Sequence, residues 1–492
     1  MAFSLRSLRQ PNPFLSRPSH STILPMPQPP RPQLFGTAGI RGRTNIDVTP
    51  LLALRMSQCL GDHLGNEGTV ALGRDTRPGS DMLARAAAAG LQSAGIAVQD
   101  CGIIPTGGLA TWIREKKCDA GVLITGSHTP PDRNGFIVIM EHGGYIADDE
   151  AVLLERMYAA VGQRAETIAA DRLGSCSLAR NPLGIYREAL IHACSMREVA
   201  ARRFKVLFDP CNGAASYVFA PLFEQLGVTG VPSNAEPKAI PDRATEPRAH
   251  NLASIAARVP AEHCDFGVAT DIDADRVLFI DDRGRVLSED LAGALFARDV
   301  LKKGSLCVTP INSSNLIEET CEQLGARLEF CRAGQPATVQ RILELKADYA
   351  YEESGKYYFV RDAAWCDGLL STVKMLDLLA RSGKKLSELA DAIPVYRQVK
   401  EMITCPDQAK VTAMDSIRAI WEKEGLEGRR ADLTIDGLKR SYGDRSWVLI
   451  RKSGTEPVIR VYADARTETR ARELVEWGKE IVMRAMGNGE KR

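Results

Sequence analysis

The chain has 492 residues, more than one hydrophobic core can organise, and that length suggests roughly three or four domains. Its 63 Lys and Arg balance 62 Asp and Glu for a net charge of +1, which argues against a nucleic-acid binder or a membrane-surface protein. The 12 cysteines include no Cys-x-x-Cys pair and read as reduced thiols of a cytoplasmic protein, and no apolar run is long enough to span a bilayer.

Residues 1–33 hold Arg6, Arg9, Arg17 and Arg31, many Pro and Ser, and no acid. Such a segment cannot bury enough surface to fold, so a disordered tail is expected; a transit peptide, or an upstream start before Met26, are the other readings. Residues 34–42 form a loop with three glycines, whose backbone can approach a ligand closely and would fix Arg41 as a cation there. Thr49-Pro50 opens a helix through Leu60. A strand over 69–72 leads into Gly73-Arg74-Asp75-Thr76-Arg77, then an alanine-rich helix over 81–93 and two short β pieces at 96–98 and 103–104. The apolar run 120–124 reads as a buried strand, and it breaks into Thr125-Gly126-Ser127-His128-Thr129-Pro130-Pro131. Ser127 therefore sits at the carboxyl end of a strand, where open α/β sheets place their ligand sites, with His128 beside it to polarise the hydroxyl. A polar turn with a surface serine fits the heptad alone equally well.

A polar, helical connector is expected over about 148–200. A strand over 205–208 ends in Asp209-Pro210-Cys211-Asn212-Gly213-Ala214, and a helix follows over 216–226. Residues 232–250 read as a loop. The strand over 265–270 feeds Asp271-Ile272-Asp273-Ala274-Asp275-Arg276, and another strand follows over 277–280. Three carboxylates at alternating positions can converge on one hard cation, and all-oxygen ligation suits Mg²⁺. Without a cation they would repel. Further on, the strand over 347–351 ends in Glu352-Glu353-Ser354-Gly355-Lys356, where carboxylate and hydroxyl suit sugar hydroxyls and Lys356 suits an anion; a hairpin turn is the bland alternative. Arg332-Ala333-Gly334-Gln335 is another polar loop. The strand over 446–450 ends in Arg451-Lys452-Ser453-Gly454-Thr455-Glu456-Pro457, with Arg460 close behind, a composition that suits a phosphate. Nucleophile, cation, polyol and phosphate chemistry thus follow one another, one loop per domain.

These loops, in this order, resemble the α-D-phosphohexomutases from about residue 34 to 485. The family's T-A-S-H-N-P is matched by residues 125–130, D-G-D-[AG]-D-R by 271–276, G-E-x-S-G-H by 351–356, and R-x-S-[GN]-T-x-P by 451–457. The resemblance implies an α/β fold of four domains around a central cleft, three related mixed α/β domains and a smaller C-terminal α+β domain. Its expected limits are a tail over 1–33, a phosphoserine domain over 34–165, a metal-loop domain over 166–284, a sugar-loop domain over 285–395 and a phosphate-loop domain over 396–492. It also implies that Ser127 is carried as phosphoserine and exchanges its phosphoryl group with a hexose 1- or 6-phosphate through a hexose 1,6-bisphosphate, which also serves as activator.

The candidate catalytic residues are then Ser127, His128 and Arg41. One Mg²⁺ per chain would be held by Ser127, Asp271, Asp273 and Asp275. Substrate would meet Arg276, Arg332, Gln335, Glu352, Ser354 and Lys356, and its phosphate Arg451, Ser453, Gly454, Thr455 and Arg460. The chain departs from the family at Gly126, Thr129, Tyr351 and Lys356, and most of all at Ile137, where the N-G-x-K lysine is a candidate general acid/base. Arg41 or His128 is expected to take that role. Mannose and glucose phosphates are the favoured substrates, because phosphoglucosamine mutases usually have Gln where Glu353 stands. The competing readings are a phosphoglucosamine mutase and a non-catalytic sugar-phosphate binding protein of the same fold; a serine hydrolase or an aspartate-nucleophile phosphatase explains fewer of the loops. The expected partners are small sugar phosphates, without nucleic acid or membrane, for a monomer or homodimer.

Overall fold

The computed structural model of the chain describes residues 34–36, 39–160, 168–424, 428–454 and 456–487. The expected tail over 1–33, the expected domain limit at 165 and the phosphate-loop residue Thr455 lie outside the described residues.

The first sheet has six strands, in the order Ile40–Arg43, Arg133–Met140, Ala120–Ile124, Thr69–Arg74, Ala97–Ile103 and Cys176–Leu178. Thr69–Arg74 pairs in parallel with Ala97–Ile103 and Ala120–Ile124, and Arg133–Met140 returns antiparallel. Every residue of Ala120–Ile124 is buried, as a continuous apolar run in a parallel sheet covered on both faces must be. The two β pieces expected at 96–98 and 103–104 are one strand, Ala97–Ile103. Its polar middle is tolerated because Gln99 accepts the indole N–H of Trp112 at 2.8 Å. The connector expected to be helical contains the helices Asp148–Ala159, Pro182–His192 and Met196–Arg202, and also the strand Cys176–Leu178, which joins the edge of the first sheet.

The second and third sheets repeat the core of the first. In the second, Lys205–Asp209 is parallel to Thr229–Pro232 and Phe266–Thr270, and Val277–Asp281 returns antiparallel. In the third, Leu306–Pro310 is parallel to Arg327–Cys331 and Tyr349–Glu352, and Lys356–Phe359 returns antiparallel. In all three the hairpin between the last parallel strand and the returning strand carries one of the chemical loops: the serine loop, the aspartate loop and the Glu353-Ser354-Gly355 turn. The helix expected over 216–226 begins instead as a 3₁₀ turn, Ala214–Tyr217, before the α-helix Phe219–Gln225.

The C-terminal domain is a different build. Its five strands are antiparallel throughout, in the order Arg397–Thr404, Val458–Ala465, Trp447–Lys452, Leu438–Tyr442 and Arg429–Leu433. The helices Lys410–Lys423 and Glu468–Gly487 supply Ile417, Trp421, Leu474 and Ile481 to its own apolar core. The architecture is four domains, three mixed α/β and one α+β.

Candidate active site

Ser127 sits in the left-handed region, φ +51°, and is wholly buried. An L residue holds that conformation only when its surroundings over-determine it. Here Arg77 does so: its guanidinium donates to the carbonyls of Ser127, Pro130 (2.7 Å) and Arg133 (3.0 Å), and it pairs with buried Asp75 at 3.3 Å. Asp75 in turn accepts the hydroxyls of Thr125 (2.7 Å) and Ser80 (2.6 Å). The strand expected over 69–72 runs on through Arg74, and the bracing by Arg77 of a loop 50 residues on was not legible in the sequence.

The serine hydroxyl is 2.8 Å from Asp271 Oδ2, 3.5 Å from Asp275 Oδ1 and 3.3 Å from His128 Nδ1. Carboxylate oxygens of Asp271, Asp273 and Asp275 lie within 4.8 Å of one another, all three residues are buried, and Asp273 Oδ1 has no partner among the described residues. An orphaned buried carboxylate oxygen beside two others is a donor set that fits a hard divalent cation. Burial, then the charge of its two neighbours, pushes Asp271 well above the usual carboxylate range, and burial with Asp275 pushes Asp273 to about 7. Burial would raise Asp275 too, but Lys356, Arg276 and Arg41 outweigh it and hold that carboxyl ionised. Burial first, then Arg276, Arg41 and Lys356, depress His128, so its imidazole is neutral; Arg276 can only donate to Nε2, which puts the ring proton on Nδ1, facing the Ser127 hydroxyl. Arg276 lies 3.3 Å from His128 Nε2 and donates to Glu246 at 2.9 Å.

A cavity of ≈ 830 Å³ opens from this cluster. Arg41, His128, Arg276, Glu352, Ser354 and Lys356 line one part of it, and Arg451, Ser453, Gly454 and Arg460 another. Glu352 and Lys356 face each other across their hairpin at 3.5 Å, at strand ends rather than within the loop between them. Ser354 turns at φ +78°. Arg451 pairs with Asp436 at 2.8 Å, and Arg460 pairs with Glu456. Nε atoms of Arg41, Arg276, Arg451 and Arg460 are buried without a partner among the described residues, which is unspent donor capacity around one cavity. Buried Lys410, which nothing in the sequence singled out, donates to the carbonyls of Ser453 (2.9 Å) and Glu456 and pins the last loop.

Arg332 and Gln335 stand apart from the other candidate substrate residues. Arg332 is bound to Asp148 at the start of the helix Asp148–Ala159. Gln335 is 1% exposed, and its amide is directed at Asp275 (3.0 Å) and Cys366 (2.8 Å). Ile137 is fully buried opposite Leu123, with Gly39 of the glycine-rich loop packed against it.

Four family descriptions match in chain order: phosphoglucomutase/phosphomannomutase alpha/beta/alpha domain I over 32–165, domain II over 185–284, domain III over 288–396, and the C-terminal domain over 402–477. The chain belongs to the phosphoglucomutase/phosphomannomutase family. It is a phosphohexomutase, an isomerase of hexose phosphates. The mutase is 35% identical to the phosphoglucomutase/phosphomannomutase of Thermococcus kodakarensis, over 92% of this chain and 99% of that protein. It is 32% identical to the phosphoglucosamine/phosphogalactosamine mutase of Sulfurisphaera tokodaii, over 92% and 99%. Its fold matches a crystal structure of a phosphoglucomutase/phosphomannomutase family protein from Burkholderia thailandensis, with a TM-score of 0.82 and 24% identity over 92% of this chain and 98% of that one. No helix among the described residues is long and apolar enough to cross a membrane.

Proposed function

We propose that the mutase interconverts hexose 1-phosphate and hexose 6-phosphate through a phosphorylated Ser127 and a hexose 1,6-bisphosphate, with glucose and mannose phosphates preferred. The observation that carries this reading is one cavity with His128, Arg41 and Arg276, the neighbours of buried Ser127 and its aspartates, at one wall and the cations Arg451 and Arg460, each with an unpartnered Nε among the described residues, at another. A sugar phosphate anchored on Arg451 and Arg460 would present its far hydroxyl towards Ser127. Glu352 and Ser354 lie between, where sugar hydroxyls would pass in either orientation. In the transfer, the bond from Ser127 Oγ to phosphorus breaks as the sugar oxygen bonds to phosphorus, and the sugar hydroxyl's proton leaves to a base. His128 or Arg41 is proposed to take that proton, while Arg276 and Lys356 face the charge that builds on the phosphoryl oxygens. A reorienting bisphosphate then returns its other phosphoryl group to Ser127.

Ser127, Asp271, Asp273 and Asp275 would hold one Mg²⁺. When bound, Mg²⁺ would neutralise phosphoryl charge and the mutual repulsion of the three carboxylates. Hexose 1,6-bisphosphate is proposed as the activator that phosphorylates Ser127. The twelve cysteines, all free thiols, support work in the cytoplasm.

The test is turnover of glucose, mannose and glucosamine 1-phosphates with Mg²⁺ and bisphosphate, compared as kcat/KM. The expected result is turnover of glucose and mannose phosphates above glucosamine phosphate. A higher kcat/KM for glucosamine 1-phosphate makes the chain a phosphoglucosamine mutase. Binding without turnover of any of them overturns the catalytic reading in favour of a sugar-phosphate binding protein.

A further inference from the structure

We propose that Thr106, Tyr145 and Gln335 are positioning residues for the cation, three neutral donors from the flanking domains that each hold one carboxylate oxygen of the aspartate loop so that another faces the metal. The inference rests on the metal reading above and adds to it a second layer drawn from outside the loop's own domain.

The geometry divides the carboxylate oxygens into two sets. Asp273 Oδ2 accepts the hydroxyl of Thr106 at 3.1 Å, and the Asp273 carbonyl accepts the Thr106 amide at 2.9 Å, leaving Oδ1 without a partner among the described residues. Asp275 Oδ2 accepts Gln335 Nε2 at 3.0 Å and the phenol of Tyr145 at 3.3 Å, while Oδ1 is the oxygen turned towards Ser127. Thr106 and Tyr145 come from the first domain, Gln335 from the third, and all three are buried. The same Gln335 Nε2 also donates to Cys366 Sγ at 2.8 Å.

The physical logic lies in the charge of the donors. Three carboxylates this close need orienting as well as neutralising. A cationic donor would compete with Mg²⁺ for the same oxygens. A hydroxyl, a phenol and an amide fix the carboxylate planes without that competition, and such outer partners govern metal affinity by holding the ligands in place. Metal binding in the second domain therefore depends on how the first and third domains are docked onto it.

The test is isothermal titration of Mg²⁺ into the dephosphorylated full-length chain. Tyr145→Phe, Thr106→Val and Gln335→Met should each weaken Kd by about 10–100-fold, the range typical of lost outer-layer partners. Thr106→Ser, which keeps the hydroxyl, should bind like the parent. Melting without metal guards against a general loss of fold, and Tyr145→Phe and Thr106→Val are close to isosteric. The positioning variants should lose most of the Mg²⁺-induced rise in Tm. Variants that bind Mg²⁺ as tightly as the parent, or that lower Tm equally with and without Mg²⁺ at unchanged Kd, overturn the inference. A parent chain that binds no Mg²⁺ at all overturns the metal reading itself, and this inference with it.

Discussion

The aspartate loop and the phosphate loop both join antiparallel strands, yet they are built in opposite ways. Residues 271–276 are all buried, and their side chains are met by Ser127, Thr106, Tyr145 and Gln335 from two other domains. In the phosphate loop Lys452, Gly454 and Glu456 are exposed, and Arg451 and Arg460 pair with acids of their own domain. A cation of fixed coordination demands ligands held to within a few tenths of an ångström in a dry site. A phosphate anchor that must serve two ends of a turning intermediate is better made of long cations at the edge of an open cavity, here part-exposed Arg460 beside buried Arg451.

The comparison breaks most sharply at the nucleophile. Ser127→Ala should lower kcat by at least about 10³-fold, as loss of a nucleophile commonly does, while stability changes by no more than about a kcal/mol. Steady-state kinetics with a melting curve checks both halves, and parent-like turnover would remove Ser127 from the mechanism. EDTA should likewise abolish activity and excess Mg²⁺ restore it; full activity in chelator would leave the acidic loop a structural turn.

On the wet side the losses should be smaller and of another kind. Arg451→Ala or Arg460→Ala removes one charged hydrogen-bond donor, worth about 1.5–3 kcal/mol, so kcat/KM should fall by about 10–100-fold. The parent's KM should also rise with salt, because part-exposed Arg460 and exposed Lys452 are screened. A salt-independent KM would mean that buried Arg451, and not Arg460, carries the phosphate.

Ile137→Lys tests the dry side from beneath. The side chain is enclosed by Leu123, Ile139 and the backbone at Gly39, so a lysine there buries an ammonium at a cost on the order of several kcal/mol. Tm should fall and kcat should not rise. A large gain in kcat with unchanged stability would show that the acid/base had been missing from this chain.

The smallest effect lies where the two kinds of domain meet. Asp464 in the strand Val458–Ala465 accepts the Asn315 amide of the third domain at 3.0 Å. Burial, and then the negative charge of Asp290, raise it to about 7 against the pull of that amide. Its native pKa lies above the unfolded value, so the folded chain holds an extra proton between about pH 4 and 7. The stability it contributes is therefore present in acid and lost as pH rises through that window. Asp464→Asn should flatten this part of the Tm profile measured from pH 5 to 8.

The candidate site was legible wherever chemistry is packed into a short segment. Ser127-His128, the alternating aspartates and the 451–457 loop each announce themselves within seven residues, because turn-forming residues and functional groups fall together at strand ends. The three repeated hairpins were legible for the same reason, since a buried strand and a polar break are local patterns. Boundaries were less so: Ala97–Ile103 looked like two pieces because its polar middle is satisfied by Trp112, a partner that periodicity does not reveal. The partners that make the loops work could be found only in three dimensions. Arg77 bracing Ser127, Lys410 pinning Ser453, and Thr106, Tyr145 and Gln335 around the aspartates all act across 43 to 167 residues of chain. A hydroxyl, a phenol or an amide reads as ordinary core or turn until folding buries it against a carboxylate, and which oxygen it meets is decided by how the domains dock.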